Sequence, residues 1–204
     1  VRELTINSVE PTELVEELPA GTVVTIEEGE RPGFDTVIWD DIVIGGEGVT
    51  DLGDGRAEIV VSDQQGALTL VTVTNEATWA PGTFTLQKHV EDVPLDNADV
   101  PTTVTVVASW IVAEEGEDGV GLVTVTKELE IPTDGTPVAF GEDLPHGTEV
   151  TLTEVAPDDA PAFAWVSAEW SEIDDLVVNE DGSATLTISA AQNPTITLTN
   201  TAEA

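Results

Sequence analysis

The run Leu18-Pro19-Ala20-Gly21-Thr22, followed by Val24-Thr25-Ile26 and Glu28, returns as Leu144-Pro145-His146-Gly147-Thr148, Val150-Thr151-Leu152 and Glu154, at an offset of 126. Trp39 and Trp165 match at the same offset. Asp54-Gly55 matches Asp181-Gly182 at 127, Val73-Thr74-Asn75 matches Leu198-Thr199-Asn200 at 125, and Glu3-Leu4 and Ile6 match Glu128-Leu129 and Ile131 at 125. Matches in the same order at nearly constant spacing mark a duplicated structural unit, and a fold assignment has to explain both copies at once.

The two copies are unequal. The second opens near Gly82, after the short joint Trp79-Ala80-Pro81, and runs to about Ala202. The first begins only at the equivalent of residue 126, so the counterpart of Thr83 to Val125 is missing from it. The expected organisation is therefore residues 1–77 as the second half of a repeat without its opening strands, 78–81 as a joint, and 82–204 as a complete repeat. A half sandwich exposes unpaired strand edges. Residues 1–77 are accordingly expected to be less ordered or to borrow strands from another copy.

Each copy alternates apolar and polar residues, is rich in Val, Thr and Ile, and breaks at Gly, Pro and Asp, the pattern of half-buried strands joined by turns. In the longer copy, strands are expected near 83–90, 102–111, 121–131, 136–140, 148–155, 162–170, 184–189 and 194–201. Many short strands of this kind predict an all-β fold of tandem immunoglobulin-like β-sandwiches. The stretch Thr12 to Leu18 is helix-like, but it is short and hemmed in by Pro11 and Pro19, and its counterpart reads as strand and loop, so no helix is expected.

Strand parity exposes three polar residues on apolar faces, since residues two apart point the same way. Lys88 shares a face with Phe84, Leu86 and Val90; Glu154 with Val150 and Leu152; Asn200 with Ile196 and Leu198. Isolated buried charges are costly, so such groups must pair or become neutral. Burial lowers the pKa of a lysine and raises that of a carboxylic acid, which favours their neutral forms. A neutral lysine amine can attack the amide carbon of asparagine if a neighbouring acid carries the proton. Ammonia leaves, and a side-chain amide then joins the first strand to the last. Contact between the groups supplies a large effective concentration.

An opening strand ending in Lys88, a central strand carrying Glu154 and a closing strand ending in Asn200 resemble the self-crosslinking collagen-adhesin B-type domains of Gram-positive pilins and adhesins. The wording of residues 144–154 (Leu-Pro-x-Gly-Thr-x-Val-Thr-Leu-Thr-Glu) and of 197–202 (Thr-Leu-Thr-Asn-Thr-Ala) is similar to a repeat family of unknown function found in tandem on actinobacterial wall-anchored proteins. The chain departs from the pilin pattern in having no Gly-Tyr after Glu154 and no Tyr anywhere. The resemblance covers nearly the whole chain and implies a stalk or adhesin role at the cell surface. It makes Lys88 the nucleophile, Glu154 the proton shuttle and Asn200 the electrophile.

Lys127 is a rival nucleophile, because Val123, Val125, Leu129 and Ile131 share its face. Its counterpart in the first copy is Arg2, which cannot form an amide, and this ranks it second. In the first copy Glu28 lies on the face of Val24 and Ile26, and Asn75 on that of Val71 and Val73. No Lys precedes Lys88, so the partner of Asn75 is expected outside this sequence.

Charge narrows the partners. Five Lys+Arg against 41 Asp+Glu leave a formal net charge of −36. Such a surface repels phosphate backbones and anionic headgroups, so neither nucleic acid nor membrane insertion is expected. The expected neighbours are other repeats of the same chain, with another copy supplying strands to residues 1–77. With no Cys, the chain has no disulfide to fasten an extracellular fold, and with no Met it is expected to be processed or cut from something longer. No apolar run reaches the roughly 20 residues of a membrane-spanning helix.

Other chemistry finds little support. His89 and His146 have no second His or Cys near them in sequence, against a zinc site. No nucleophilic triad or phosphate loop has recognisable spacing. The acidic pairs Asp40-Asp41, Asp158-Asp159 and Asp174-Asp175 would suit calcium, but no loop spaces its ligands as calcium motifs do, so solvated surface charge is expected and no cofactor. Trp39, Trp165 and Trp170 are expected inside the sandwiches, and Trp79 and Trp110 in a core or across the joint. The expected function is a structural spacer on the outside of a bacterial cell, anchored beyond this sequence, and not an enzyme beyond one self-crosslinking turnover. The alternative is a ligand-binding adhesin module recognising a glycan or host protein through its loops, although the differing loops 29–42 and 155–168 carry no aromatic cluster for sugar stacking.

Overall fold

A computed structural model describes residues 2, 4–6, 11–12, 17–64, 68–93, 100–116, 119–157 and 163–203. Its contacts divide the chain into two compact units, one of Val1–Gly33 with Trp39–Thr78, the other of Phe34–Ile38 with Trp79–Ala204. The described residues are all-β. Positions 13–16 of the helix-like stretch lie outside them.

The first unit holds β1 (Val23–Glu27), β2 (Val37–Gly45), β3 (Val49–Gly53), β4 (Arg56–Val60) and β5 (Thr72–Trp79). They form a three-stranded sheet in the order β1-β4-β3 and a two-stranded sheet of β2 and β5. Its apolar positions are shallow. Ile44 and Ala57 are buried, but Val24, Ile26, Val71 and Val73 are only half-buried. Val150 and Leu152, the counterparts of Val24 and Ile26 in the second unit, are fully buried.

The second unit contains β6 (Thr85–Glu91), β7 (Thr103–Gly116), β8 (Gly119–Pro132), β9 (Val138–Ala139), β10 (Glu149–Glu154), β11 (Ala164–Trp170), β12 (Leu176–Val178), β13 (Ala184–Thr187) and β14 (Thr195–Glu203). One sheet runs β12-β13-β10-β7-β8 and the other β11-β14-β6-β9. Alternating residues from both sheets fill one core: Phe84, Leu86, Ile196 and Leu198 from one, Val104, Val106, Ala108, Leu129, Val150, Leu152 and Leu186 from the other. This is a β-sandwich, with polar Thr and Glu between the inward positions.

The register of β6 and β14 positions the site. These first and last strands of the unit are neighbours and run parallel, with Leu86 beside Ile196, Lys88 beside Leu198 and Val90 beside Asn200. Parallel neighbours cannot be joined by a hairpin. The remaining strands of the unit form the connection, so a bond between β6 and β14 would span nearly the whole unit.

Several strand expectations need correction. The expected strand at 136–140 shrinks to Val138–Ala139, because Gly135 takes φ 86 in the preceding turn. β12 was not anticipated: three residues after Asp174-Asp175 are too few to show a period, and the strand exists by pairing with β13. β7 and β8 run past their expected ends at 111 and 121 to pair as far as Gly116 with Gly119. Ladder pairing carries the hairpin through Glu114 and Glu115, beyond the expected end of the strand. Trp110 and Trp170 are buried in the core. Trp165 is half-buried, edge-on to Phe163 at 5.1 Å. Trp39 is also half-buried, its indole N–H donating to the Pro32 carbonyl at 2.9 Å. Trp79 remains 60% exposed, its ring 5.1 Å from that of His146.

Candidate functional site

Lys88 leaves β6 toward the core between Leu86 and Val90, both buried, and its side chain has no solvent exposure. Asn200 leaves β14 on the same side, two residues beyond the position paired with Lys88, and is 1% exposed. Glu154, the last residue of β10, reaches across from the facing sheet, where it pairs with Val106. Its side chain is 9% exposed.

All three side chains meet at one oxygen. The Lys88 Nζ donates to Glu154 Oε1 at 3.0 Å, and the Asn200 Nδ2 donates to the same oxygen at 2.8 Å. The Asn200 Oδ1 is buried without a hydrogen-bond partner. Burial pushes the Lys88 ammonium below the ordinary lysine value of 10.5, and the charge and hydrogen bond of Glu154 pull it back up. Desolvation is the larger influence. Transferring the proton from Lys88 to Glu154 would turn a buried ion pair into a neutral amine and acid. An apolar surrounding favours that exchange, and it is the protonation state an amine needs to act as a nucleophile.

Lys127 has the inward parity expected of it but sits at the rim. Its side chain is 30% exposed and its ammonium pairs with Glu142 Oε1 at 2.8 Å. It also donates to the Phe140 carbonyl at 2.7 Å and lies 4.8 Å from the centre of the Phe140 ring. These partners are a carboxylate, a carbonyl and a ring, and no carboxamide is among them. Parity alone could not separate the two lysines; depth does.

In the first unit the pair equivalent to Glu154 and Asn200 also meets. The Asn75 Nδ2 donates to Glu28 Oε1 at 2.7 Å. Glu28 follows β1 and its backbone N–H donates to the Gly55 carbonyl at 2.9 Å. The other carboxylate oxygen, Glu28 Oε2, is buried without a hydrogen-bond partner.

His89 is exposed, with its Nε2 3.6 Å from Glu91 Oε1. Among the described residues no group of three or more His, Cys, Asp or Glu could hold a metal ion. Asp158-Asp159 lies outside those residues. No described helix is long and apolar enough to cross a membrane.

An all-β sandwich whose first and last strands converge on one buried carboxylate defines the structural class. Within it the chain belongs to the family described as a domain of unknown function, DUF5979, which matches residues 84–203. No curated protein matches the chain in sequence. In structure it is similar to a bacterial adhesin from Mobiluncus mulieris containing intramolecular disulfide, isopeptide and ester bond cross-links. In space group P21 the identity is 13% and the TM-score 0.42, over 80% of this chain and 60% of the adhesin. In space group P1 the identity is 13% and the TM-score 0.40, over 83% and 62%. The chain therefore spans less than two thirds of the length of the adhesin it matches.

Proposed function

We propose that this chain is part of an extracellular stalk, a spacer repeat of a bacterial surface protein whose complete unit is stiffened by an amide bond between Lys88 and Asn200. The observation that carries this reading is the meeting of a buried lysine and a buried asparagine on one oxygen of Glu154. A spacer has no substrate to recognise, and the two reactants Lys88 and Asn200 are enclosed, each 1% exposed.

The chemistry balances within the trio. Glu154 takes a proton from the Lys88 ammonium, and the free amine attacks the Asn200 side-chain carbon, Cγ. The new bond is Nζ–Cγ and the bond that breaks is Cγ–Nδ2. Glu154 collects the proton released by the attacking nitrogen and hands one to the departing nitrogen, which leaves as ammonia. Glu154 ends with the one proton left over, and because Lys88 and Asn200 are both consumed, one turnover exhausts the site. Pre-positioned reactants supply most of the acceleration.

Mechanical logic supports the same reading. β6 and β14 are the first and last strands of the unit, and residues 89–199 lie inside the loop the bond would close. Tension entering through β6 would leave through the amide and β14, and bypass the core. The charge of −36 would keep neighbouring stalks apart.

Intact mass tests this reading. The folded wild-type chain is expected to be lighter than its sequence by one ammonia, and Lys88→Ala, Asn200→Ala and Glu154→Gln to carry full mass. Lys127→Ala is expected to keep the loss. A wild-type chain at full mass, or a loss that survives Lys88→Ala, would end the assignment.

The reaction should also depend on pH. The reactive state holds a single proton shared by Lys88 and Glu154, and it is lost when the pair gives that proton up. Because burial lowers Lys88, this alkaline loss falls below 10.5. When unlinked chain is refolded and its ammonia loss timed by mass, the rate is expected to turn down before that pH. A rate still climbing through pH 10.5 would contradict the buried-amine chemistry.

A further inference from the structure

The β7–β8 hairpin runs on past the strand that supports it. β10 pairs with β7 only as far as Trp110, whereas β7 and β8 stay paired up to Gly116 and Gly119. Among the described residues, 111–116 and 119–124 therefore pair only with each other, and β8 is the edge strand of its sheet. A two-stranded ribbon is marginal in water unless a third strand or a packed face supports it. The inner face of this ribbon has such support, because Val112 and Val125 pack against the core. The outer face does not. Register places Ile111, Ala113, Val120 and Leu122 together there, and Ile111, Val120 and Leu122 are 61%, 70% and 77% exposed.

Charge decides what can cover this strip. Residues 103–132 contain the acids Glu114, Glu115, Glu117, Asp118, Glu128 and Glu130 and a single cation, Lys127, which is already paired with Glu142. On the outer face Glu115 lies opposite Val120 at the tip end of the apolar strip, and Glu128 and Glu130 share that face toward the base. A second copy of the chain would set these carboxylates against their own kind and be repelled. A segment with aliphatic side chains at its centre and Lys or Arg at both ends matches the strip and its flanks at once.

We propose that the outer edge of β8, over residues 119–124, docks a cationic β-strand of another protein. Main-chain hydrogen bonds along the open edge hold the strand, as in other strand-addition complexes. Its alternate aliphatic side chains lie beside Val120 and Leu122 and cover the strip, and its terminal cations face Glu115 at the tip and Glu128 toward the base. Added as a third strand, it supplies the support that the ribbon lacks. The contact is sensitive to salt, since screening shortens the reach of surface charge from about 10 Å at 0.1 M to about 3 Å at 1 M. Neither Lys88 nor Asn200 takes part, so the docking edge stands whether or not those two residues are linked.

The probe is the peptide Lys-Thr-Val-Thr-Val-Thr-Val-Thr-Lys, added to the full chain at low salt while amide hydrogen exchange is followed residue by residue. With the peptide at about ten times its dissociation constant, exchange across 119–124 is expected to slow about tenfold. The protection is expected to vanish at about 1 M salt and with a peptide carrying Glu in place of both Lys. It is also expected to vanish in the double variant Ile111→Thr/Leu122→Thr, which removes the apolar strip and keeps residues that favour strands. Unchanged exchange across 103–110 checks that this variant is folded. Absence of protection at low salt, equal protection by the Glu peptide, or protection that survives the double variant overturns the proposal. Protection that appears without peptide as the chain is concentrated would make the occupant a second copy and overturn it as well.

Discussion

Thermal unfolding of the second unit is expected about 15–20 °C higher in the wild-type chain than in Glu154→Gln. The amide would close a loop of roughly 110 residues. By analogy with a disulfide of similar span, that loop removes about 4–5 kcal/mol of conformational entropy from the unfolded ensemble. For a unit of roughly 120 residues, each kcal/mol moves the midpoint by about 4 °C. Gln keeps the size of Glu154 but removes its charge as well as its ability to carry a proton, so the difference also includes the loss of the buried Lys88–Glu154 ion pair. The double variant Glu154→Gln/Asn200→Ala is the control. Set against Glu154→Gln alone, it measures the local cost of altering Asn200 when no bond is present in either. Calorimetry on chains whose mass has been verified gives the midpoints directly. Equal midpoints for linked and unlinked chains would remove the stiffening role, whatever the mass shows.

Phe140→Ala, made in the unlinked Glu154→Gln background, is expected to destabilise the second unit by about 3–5 kcal/mol. Phe140 is 1% exposed. It stacks on Phe84 with ring centres 4.5 Å apart and meets Trp110 edge-on at 5.4 Å. Its backbone N–H donates to the Phe84 carbonyl at 2.9 Å, which ties the segment after β9 to β6. Truncation would leave a cavity between the rings of Phe84 and Trp110, and it would take away the ring beneath the Lys127 ammonium. Denaturant unfolding measures the loss, and near-UV circular dichroism should report the altered setting of Trp110. Leu122→Ala, at a position 77% exposed on the β7–β8 hairpin, is the contrast and should change stability by no more than about 0.5 kcal/mol. A Phe140→Ala cost below about 1 kcal/mol would show that this aromatic cluster is not the centre of the core.

Much of the candidate site was legible because strands have a period of two. Once Phe84, Leu86 and Val90 are assigned to the core face, Lys88 has to share it, and the same holds for Glu154 and Asn200. The internal repeat added what parity could not, a second occurrence of the Glu and Asn positions at Glu28 and Asn75. The short elements were less legible. β9 has two residues and β12 three, fewer than a period can be read from, and each exists because a neighbouring strand offers it hydrogen bonds. The β7–β8 tip misled in the other direction. Its Gly and acidic residues carry turn signals, but fourteen paired positions hold the ladder together through them.

The sequence by itself determined the all-β character and the inward facing of three polar side chains, because each follows from local alternation. Which strands became neighbours is not a local property, and only the tertiary structure decided it. The parallel pairing of β6 with β14 brings residues 88 and 200 to one face of one sheet, and β10 approaches from the other sheet to set Glu154 between them. Depth was decided in the same way. Lys88 and Lys127 have the same parity, yet one side chain is wholly enclosed and the other 30% exposed at the rim beside Glu142. Parity records direction along a strand. Desolvation depends on how many layers of other strands lie above the side chain, and that is fixed only when the two sheets close on each other.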